Sequence, residues 1–494
     1  MLLQFFDWYS GKDDQHWQHF KNEIPRLREA GFSAIWLPPA YKGTRGRDSE
    51  GYDVFDIYDL GEFDQKGTVA TRYGTKQEYV DAVNAARAAG LQVYVDIVLN
   101  HMGGAEETET ITVRKVDPED RTKFISEPFE IEAYTRFSFP ARKGKYSKFV
   151  WDFQCFTGLD HAIGSDDEGS IYSILNEYGE GWEPLSDTEK GNFDYLMMND
   201  IETRNPAVRE ELKRWIKWYY ETVPFDGVRL DAVKHINPEF FNEWLDYIRA
   251  EIKPDMFALG EYWLSDNLGV LLKYIDDTEG RMSLFDAPLH HQFATASKQG
   301  KEYDLRNIFH DSLVSHRPEL AVTFVDNHDT QPLQSLEEYT EQWFKPHAYA
   351  LILLRLTGYP CVFYPDMYGT SYEGQNSEGE HCEINIPPLD ELPALLWLRR
   401  EKAYGEQEDY FDAANCIGWV RRGDDDKPGS GLAVLLNNGE DRMTKQMNMG
   451  EKFAGLVLTN VFDPQAEVVQ LNENGEGEFA VSAGKIAVWV LKEE

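Results

Sequence analysis

The amino-acid sequence predicts an α/β protein: a (β/α)8 TIM barrel with a subdomain inserted after strand 3 and a C-terminal antiparallel β-sandwich domain. Three observations support this fold. Short apolar runs alternate with amphipathic helical patterns, and eight such units favour a closed parallel barrel over an open sheet. A long stretch without regular periodicity interrupts the alternation after the third strand. After about residue 404 only short alternating segments follow.

The eight predicted barrel strands are short runs rich in β-branched and aromatic residues. They are Leu3–Phe6, Ala34–Leu37, Val93–Val98, Gly227–Leu230, Phe257–Leu259, Ser283–Phe285, Val322–Val325 and Cys361–Tyr364. The helices predicted between them carry apolar residues at helical spacing. They are Gln15–Ala30, Lys76–Ala89, Pro206–Glu221, Glu239–Ile252, Tyr303–His316, Trp343–Thr357 and Leu389–Ala403.

Residues 103–205 are predicted to form the inserted subdomain. The stretch is rich in Gly, Asp and aromatic residues, and a structureless loop of this length is implausible in a compact protein. The barrel therefore comprises residues 1–102 and 206–403, and the C-terminal β domain comprises residues 404–494. Turn sequences such as Asn437-Asn438-Gly439 separate the strands of that last domain. These strands are Cys416–Val420, Gly431–Leu436, Gly455–Leu458 and Ile486–Leu491.

The composition of the chain is strongly acidic. It has 87 acidic and 49 basic residues, which give a formal net charge of −38. A surface of this charge repels phosphate backbones, so we expect no nucleic-acid partner. Solubility and adaptation to salt both account for such a composition, and a neutral polysaccharide is indifferent to it.

The sequence carries no signal for a membrane or for export. The segment MLLQFFDWYSGKDDQHWQHF lacks the basic region and cleavage site of a signal peptide. The most apolar stretch, Ala348–Leu354, is far shorter than a membrane span. Four widely spaced cysteines without a CxxC pair favour free thiols in a reducing compartment. They are Cys155, Cys361, Cys382 and Cys416. We therefore expect a cytoplasmic protein.

Four of the predicted strands end in polar and charged residues. The active sites of such barrels lie at the C-terminal ends of the strands. The segments are Asp96-Ile97-Val98-Leu99-Asn100-His101, Arg229-Leu230-Asp231-Ala232-Val233-Lys234-His235, Glu261-Tyr262-Trp263 and Asp326-Asn327-His328-Asp329. Core packing does not require carboxylates, His or Arg at these positions, so the pattern indicates a functional site.

Two carboxylates that flank a glycosidic bond are the minimal apparatus for its hydrolysis. Asp231 lies two residues after Arg229, so both side chains point to the same face of a strand, and the guanidinium would keep Asp231 ionised. Glu261 precedes two aromatic residues, and less polar surroundings would keep it protonated as the acid. One carboxylate at a strand end is more often structural, but three together favour catalysis. Asp96 is expected to support the polar interior of the barrel.

These four segments resemble the four signature regions of the α-amylase family of glycoside hydrolases, in the same order. The resemblance covers nearly the whole chain, including the segment Trp36-Leu37-Pro38-Pro39-Ala40-Tyr41-Lys42-Gly43 and Gly369-Thr370 after the eighth strand. DNHDTQP and WFKPHAYALILLR are typical of the bacterial liquefying-type members, and within them of the cytoplasmic branch without a leader. The resemblance implies endo-acting, retaining hydrolysis of α-1,4-glucosidic bonds in starch, glycogen or maltodextrins by a monomer.

The resemblance also implies individual roles. Asp231 would be the nucleophile, Glu261 the general acid/base, and Asp329 the third carboxylate, which holds the sugar hydroxyls. The residues expected to contact the sugar at the same subsite are Arg229, His101, His328 and, as a stacking platform, Tyr52. Those expected on the leaving-group side are Lys234, His235 and Trp263. A retaining enzyme further implies carboxylates about 5–5.5 Å apart.

A structural calcium ion is implied where the insertion meets the barrel. Its ligands would be Asn100, Asp194, Asp200 and the main-chain carbonyl of His235, oxygen donors that suit Ca²⁺. Taken without the family, Asp194 and Asp200 are equally compatible with N-cap or surface roles.

Only one calcium ion is expected. Secreted members of the family carry a second metal cluster, and here Thr157, Glu183 and Arg204 occupy positions of its acidic ligands. The chloride-dependent branch has a basic residue soon after the fourth motif. This chain reads Asp329-Thr330-Gln331-Pro332, so chloride is not expected.

Two other functions remain open from the sequence. A transglycosylase or an α-1,6-debranching member of the family shares the carboxylates and differs in the loops. A non-catalytic glucan-binding protein on the same fold is the other alternative, although such relatives usually lose a catalytic carboxylate. The C-terminal domain is expected to cover the barrel rather than to bind starch.

Overall fold

Eight parallel strands close into a barrel in the computed structural model, which describes residues 1–165 and 169–492. The strands follow each other around the barrel in chain order. They are Leu2–Gln4, Ala34–Leu37, Gln92–Ile97, Gly227–Leu230, Phe257–Gly260, Ser283–Phe285, Ala321–Phe324 and Tyr359–Phe363. The predicted fold class is confirmed, and every predicted strand overlaps an observed one.

Helices pack around the outside of the barrel; most bury one face, whereas Lys345–Leu353 is buried on all sides. They are His16–Ala30, Lys76–Ala88, Pro206–Thr222, Pro238–Glu251, Leu268–Asp277, Ala287–Gln299, Leu313–His316, Lys345–Leu353, Tyr364–Tyr368 and Leu392–Glu401. Side-chain caps define several of their starts, and Thr75 with Glu78 forms a capping box before the second helix. No helix within the described residues is long and apolar enough to cross a membrane.

The helix predicted over Tyr303–His316 is wrong. The helix that follows the sixth strand is Ala287–Gln299, which the sequence analysis did not predict. It ends at Gly300, whose φ of 55° lies in the left-handed region that glycine adopts without strain. Asp311, with a φ of 54°, interrupts the predicted segment, which contains a 3₁₀ turn at Leu305–Asn307 and only one α-helical turn, Leu313–His316.

The insertion contains a six-stranded sheet. Its strands are His101–Met102, Glu107–Val116, Phe129–Arg136, Phe156–Leu159, Ile171–Ile174 and Asn199–Ile201. These strands were not predicted, because the stretch lacks regular hydrophobic periodicity. The pairing of His101 with Asp200 joins the last strand of this sheet to the segment that leaves the third barrel strand. This contact fixes the insertion over the C-terminal end of the barrel.

The C-terminal part forms a six-stranded antiparallel sheet and a two-stranded one. The strands of the larger sheet are Gln407–Ala413, Cys416–Arg421, Leu432–Asn437, Val457–Asn460, Val469–Gln470 and Ile486–Leu491. The smaller sheet pairs Met443–Asn448 with Glu476–Val481. Trp419 and Val488 of the larger sheet belong to the same apolar core as the barrel helices, so this sheet covers the side of the barrel.

Two short antiparallel pairs complete the structure. One joins Lys42–Gly43 to Val54–Asp56. The other, a hairpin of Thr370–Gln375 and His381–Ile386, follows the eighth strand and was not predicted. Tyr372 of this hairpin stacks on the ring of Tyr9 with centroids 3.9 Å apart, so the hairpin packs against the loop after the first strand.

Candidate active site

The three predicted catalytic carboxylates lie at the C-terminal ends of the fourth, fifth and seventh barrel strands. Asp231 and Glu261 directly follow their strands, and their backbone N–H groups continue the barrel hydrogen bonding to Ile97 and Leu230 at 2.9 Å each. Both side chains are nearly buried, with 9% and 7% exposed surface. The rigid ends of the strands therefore fix the backbones of both residues.

Arg229 connects the carboxylates. Its Nη1 donates to Asp96 Oδ1 at 2.9 Å and to Asp231 Oδ1 at 2.7 Å. Its Nη2 lies 2.9 Å from Glu261 Oε2. Asp96, which also accepts from the indole of Trp36 at 2.9 Å, orients the guanidinium from below. One buried cation thus holds two predicted catalytic groups close together, which the sequence analysis foresaw only for Asp231.

The pKa of Asp231 rises to about 6, because burial destabilises the ionised form and the charge of Asp96 adds to this effect. Arg229 opposes the shift but does not cancel it. The guanidinium thus favours the ionised form, as expected from the sequence, but burial and Asp96 outweigh it. The carboxylate of Asp231 is therefore easier to protonate than that of an exposed aspartate.

The pKa of Glu261 is also raised, first by burial and then by the negative charge of Asp231, while Arg229 opposes the shift. The sequence analysis attributed this rise to the aromatic residues that follow Glu261. In the structure Tyr262 donates its hydroxyl to Asp187 at 3.2 Å and does not shield the carboxylate. The environment still favours the protonated form that a general acid requires.

Asp329 lies beside His328, whose Nε2 is 3.3 Å from Asp329 Oδ2. Gln4 Nε2 lies 3.1 Å from the other ring nitrogen, Nδ1. Burial lowers the pKa of His328 well below its ordinary value, so the ring is neutral. With Gln4 donating to Nδ1, the ring carries its proton on Nε2, the nitrogen nearer to Asp329, although within the described residues this atom forms no hydrogen bond. Burial and the charge of Glu261 raise the pKa of Asp329 well above its usual range.

An aromatic stack lines the site. The ring of Tyr52 is parallel to His328, with centroids 5.0 Å apart, and to Trp8, with centroids 5.9 Å apart. The Tyr52 hydroxyl donates to Asp96 at 2.9 Å. Trp8 was not predicted as a site residue, although the aromatic pair Trp8-Tyr9 shortly after the first strand could have indicated a sugar-stacking surface. His101 lies next to Tyr52, and its Nε2 is 2.9 Å from the Tyr52 carbonyl.

The predicted leaving-group side lies against the insertion. Lys234 forms an ion pair with Glu189 of the insertion and donates to the Trp263 carbonyl at 3.3 Å. The Nδ1 atom of His235 lies 2.5 Å from the carbonyl oxygen of Phe193. The structure therefore brings Lys234 and Trp263 together and turns the imidazole of His235 toward the insertion. Sequence reasoning missed Glu189, because its partner is far away in the chain.

The four predicted calcium ligands converge at the junction of insertion and barrel. Asn100 Nδ2 lies 3.1 Å from Asp200 Oδ1 and 3.2 Å from the His235 carbonyl. Asp194 is buried beside them, and burial raises the pKa of Asp194 and of Asp200 well above the usual range. Thr157 donates its hydroxyl to Asp200. Asp194, Asp200 and the His235 carbonyl thus offer oxygen atoms from distant parts of the chain, whereas Asn100 turns its Nδ2 toward them and its Oδ1 lies 3.1 Å from His101 Nδ1.

The same junction buries a surplus of negative charge. Glu183, Asp194, Asp200 and Glu202 are each at most 3% exposed. Of these four carboxylates, only Glu202 forms an ion pair within the described part of the chain: Arg204 Nε and Nη2 lie 2.7 and 2.6 Å from its two oxygens. A buried carboxylate group of this charge is stable only if it is protonated or if it binds a cation.

The likeness to known proteins extends along the whole chain. Residues 10–385 match the family model described as Alpha amylase, catalytic domain. The cytoplasmic alpha-amylase of Escherichia coli is 45% identical over 100% of this chain and 99% of that protein. The alpha-amylase of Geobacillus stearothermophilus is 46% identical over 99% of this chain and 86% of that protein. The solved structure of an alpha-amylase of Geobacillus thermoleovorans, complexed with acarbose, aligns with 99% of this chain and 95% of that chain at a TM-score of 0.63. The sequence identity is 19%, so this comparison shows a similar fold.

Proposed function

The chain belongs to the α-amylase family of glycoside hydrolases, and from this premise we propose which of its residues hydrolyse the substrate. Membership confirms the resemblance predicted from the sequence motifs. The reaction is endo hydrolysis of α-1,4-glucosidic bonds in an α-glucan. The contact of one buried Arg229 with both Asp231 and Glu261 supports the assignment of these two carboxylates as the catalytic pair.

In the proposed mechanism Asp231 attacks the anomeric carbon while Glu261 protonates the departing glycosidic oxygen. Glu261, now ionised, removes a proton from water, which hydrolyses the glycosyl ester of Asp231 and retains the configuration. Arg229 holds both carboxylates in place. Asp329 with His328 binds sugar hydroxyl groups, and Tyr52 stacks against the sugar ring. Lys234 and Trp263 lie toward the leaving-group side.

The substrate preference is tested with amylose and pullulan. We expect amylose to yield reducing ends at least about tenfold faster than pullulan, because the carboxylates are proposed to act on α-1,4 bonds within the chain. Products of intermediate length should precede maltose. Faster loss of pullulan would support the α-1,6-debranching alternative. With maltoheptaose as a third substrate, products longer than maltoheptaose would support a transglycosylase.

The pH dependence of kcat/KM tests the role of Asp231. Its ionised form is required for attack, so activity is expected to rise with pH through about 6, where Asp231 loses its proton. Asp96 raises this pKa, so Asp96→Asn should move the acid limb to lower pH. An acid limb at the ordinary aspartate value of 3.8 would contradict the assignment.

One calcium ion is proposed to bind Asn100, Asp194, Asp200 and the His235 carbonyl. The buried carboxylates and the His235 carbonyl fit a hard cation, to which Asn100 would turn its Oδ1 by rotation of its amide. When bound, the ion supplies positive charge that neutralises these carboxylates and ties the insertion to the barrel. A second ion is not proposed, because Arg204 already occupies both oxygens of Glu202.

Removal of calcium is expected to lower Tm. A free calcium concentration of 100 Kd stabilises a protein by about 2.7 kcal/mol, which a chelator removes. Asp200→Asn should abolish the calcium-induced rise in Tm. The exposed hairpin group Glu373, His381 and Glu383 can also hold a metal, so Glu373→Gln is the matched control. A calcium response lost in the Glu373 variant and kept in the Asp200 variant would place the ion on the hairpin.

We also propose that the protein acts as a monomer in a reducing, cytoplasmic compartment. Every proposed catalytic and calcium-binding residue comes from one chain. All four cysteines are free thiols, and Cys155, Cys361 and Cys416 are buried. The proposed division into residues 1–102 and 206–403, 103–205 and 404–494 follows the positions of the barrel and of the two groups of antiparallel strands.

A further inference from the structure

Two loops at the C-terminal end of the barrel carry aromatic rings of the site. Trp8 lies in the loop after the first strand, and Tyr52 lies between the short strands Lys42–Gly43 and Val54–Asp56. With His328 the two rings form three nearly parallel pairs, with interplanar angles of 4°, 6° and 11°. A sugar stacks well only on a ring that is held in the right place, so the contacts that fix these loops also affect substrate binding.

The buried guanidinium of Arg72 joins the two loops. Its Nε donates to the Ser10 carbonyl at 2.8 Å and its Nη2 to the Trp8 carbonyl at 3.3 Å. On the other side, its Nη1 donates to the Asp48 carbonyl at 3.3 Å and to Glu50 Oε1 at 3.0 Å. A planar guanidinium is a rigid fork of donors, so these bonds fix the distance and the angle between the two loops.

The backbone that carries Arg72 is itself held in place. Arg72 lies in a tight turn directly before the second helix, where Thr71 and Gly74 exchange backbone hydrogen bonds of 3.0 and 3.3 Å. The next residue, Tyr73, donates its hydroxyl to the Glu50 carbonyl at 2.9 Å. A guanidinium and a phenol from one turn therefore bind the same loop, two residues before the stacked tyrosine.

The two loops have another polar connection, which is weaker. Arg47 Nη2 lies 3.0 Å from Asp14 Oδ2, but these side chains are 46% and 35% exposed. Exposed ion pairs are screened by water and salt and contribute little. The side chains of Arg72 and Glu50 are only 5% and 12% exposed, so their attraction is screened much less.

We propose that Arg72 is a positioning residue for the substrate: it fixes Trp8 and Tyr52 relative to each other and so sets the affinity of the stacking surface for the sugar. Every hydrogen bond that Arg72 forms in the described part of the chain goes to one of the two loops. The inference rests on the proposed function, in which Tyr52 stacks against the sugar ring. Stacking forms on binding and persists in the transition state, so its loss should raise KM and leave kcat nearly unchanged.

The first test is kinetic, with maltoheptaose as the substrate. Arg72→Ala is expected to raise KM at least about fivefold, with kcat within about threefold of the unmodified protein. Arg72→Lys keeps the charge opposite Glu50 but lacks the fork that reaches the carbonyl groups, so its KM should be intermediate. An unchanged KM, or an equal fall of kcat and kcat/KM, would overturn the proposal. If the alanine variant does not fold, the lysine variant decides by the same criterion.

Arg249→Ala is the matched control. Arg249 also joins two loops through their carbonyl groups, those of Met256 at 3.3 Å and of Arg281 at 2.6 Å. These loops lie at the N-terminal ends of the fifth and sixth strands, at the opposite end of the barrel from the site. The control variant should lower Tm as Arg72→Ala does and leave KM unchanged. A comparable rise of KM in both variants would reflect a general loss of stability and would overturn the proposal.

A double-mutant cycle tests whether Arg72 acts through the aromatic rings. A Tyr52→Ala protein lacks the stacking surface, so adding Arg72→Ala to it should change kcat/KM by less than about twofold. Independent, multiplicative effects of the two substitutions would mean that Arg72 acts elsewhere, and would overturn the proposal. Failure of the proposed function has a different signature: the unmodified protein would release no reducing ends from amylose, whereas failure of this inference leaves that activity intact.

Discussion

Asp231→Asn is expected to lower kcat/KM on amylose at least about 10⁴-fold. Losses of this size are usual when the nucleophile is removed from a set of catalytic residues that act together. The asparagine amide has nearly the shape of the carboxylate and can still accept from Arg229, so the backbone and the cleft should persist. What is lost is the negative charge that attacks the anomeric carbon. Reducing-sugar release, with maltoheptaose affinity measured in parallel, checks both statements.

A matched control is available at the end of the sixth strand. Asp286 is fully buried and its pKa is also raised to about 6 by burial. Its oxygens accept backbone N–H groups of Leu289, Leu313 and Val314 at 2.8–3.1 Å, so its role is structural. Asp286→Asn should lower Tm and leave kcat/KM unchanged. If the Asp231 variant kept its activity, the nucleophile would have to be another residue.

This pair of aspartates shows why a shifted pKa does not by itself identify a catalytic group. Both carboxylates follow barrel strands and both are buried. They differ in their partners: Asp286 is satisfied by backbone donors, whereas Asp231 shares a guanidinium with a second proposed catalytic carboxylate. The hydrogen-bonding partner, rather than the magnitude of the pKa shift, distinguishes a structural carboxylate from a catalytic one.

Contacts within one strand were predictable from the sequence. A period of two residues places Arg229 and Asp231 on one face, and the structure has them 2.7 Å apart. The contact of Arg229 with Glu261 was not predicted. It depends on the register of two neighbouring strands, in which Arg229 lies beside Leu259. Local spacing carries no information about that register.

Contacts between distant segments account for the other differences. Trp8 stacks on Tyr52 and Glu189 pairs with Lys234 only because the closed barrel and the insertion bring them together. The strand Glu107–Val116 escaped notice for another reason. Its side chains are mostly polar and only partly buried, so hydrophobic alternation is weak there.

Glu261→Gln is expected to lower kcat/KM on amylose by about 10²–10⁴-fold, the usual contribution of general acid–base catalysis. The loss should depend on the leaving group. Fluoride departs without a proton, so the first step with α-maltosyl fluoride should be almost unaffected in this variant. The Asp231 variant, in contrast, should lose activity on both substrates, because it lacks the group that attacks the anomeric carbon in either case.

The second step offers an independent measurement. Water needs Glu261 as a base to attack the glycosyl ester of Asp231, whereas azide is an anion and needs no base. Added azide should therefore accelerate turnover of α-maltosyl fluoride by the Glu261 variant and give the α-glycosyl azide, with retained configuration. Equal losses on amylose and on the fluoride, without rescue by azide, would exclude Glu261 as the acid/base. Rescue with retention would support both the identity of Glu261 and a covalent intermediate on Asp231.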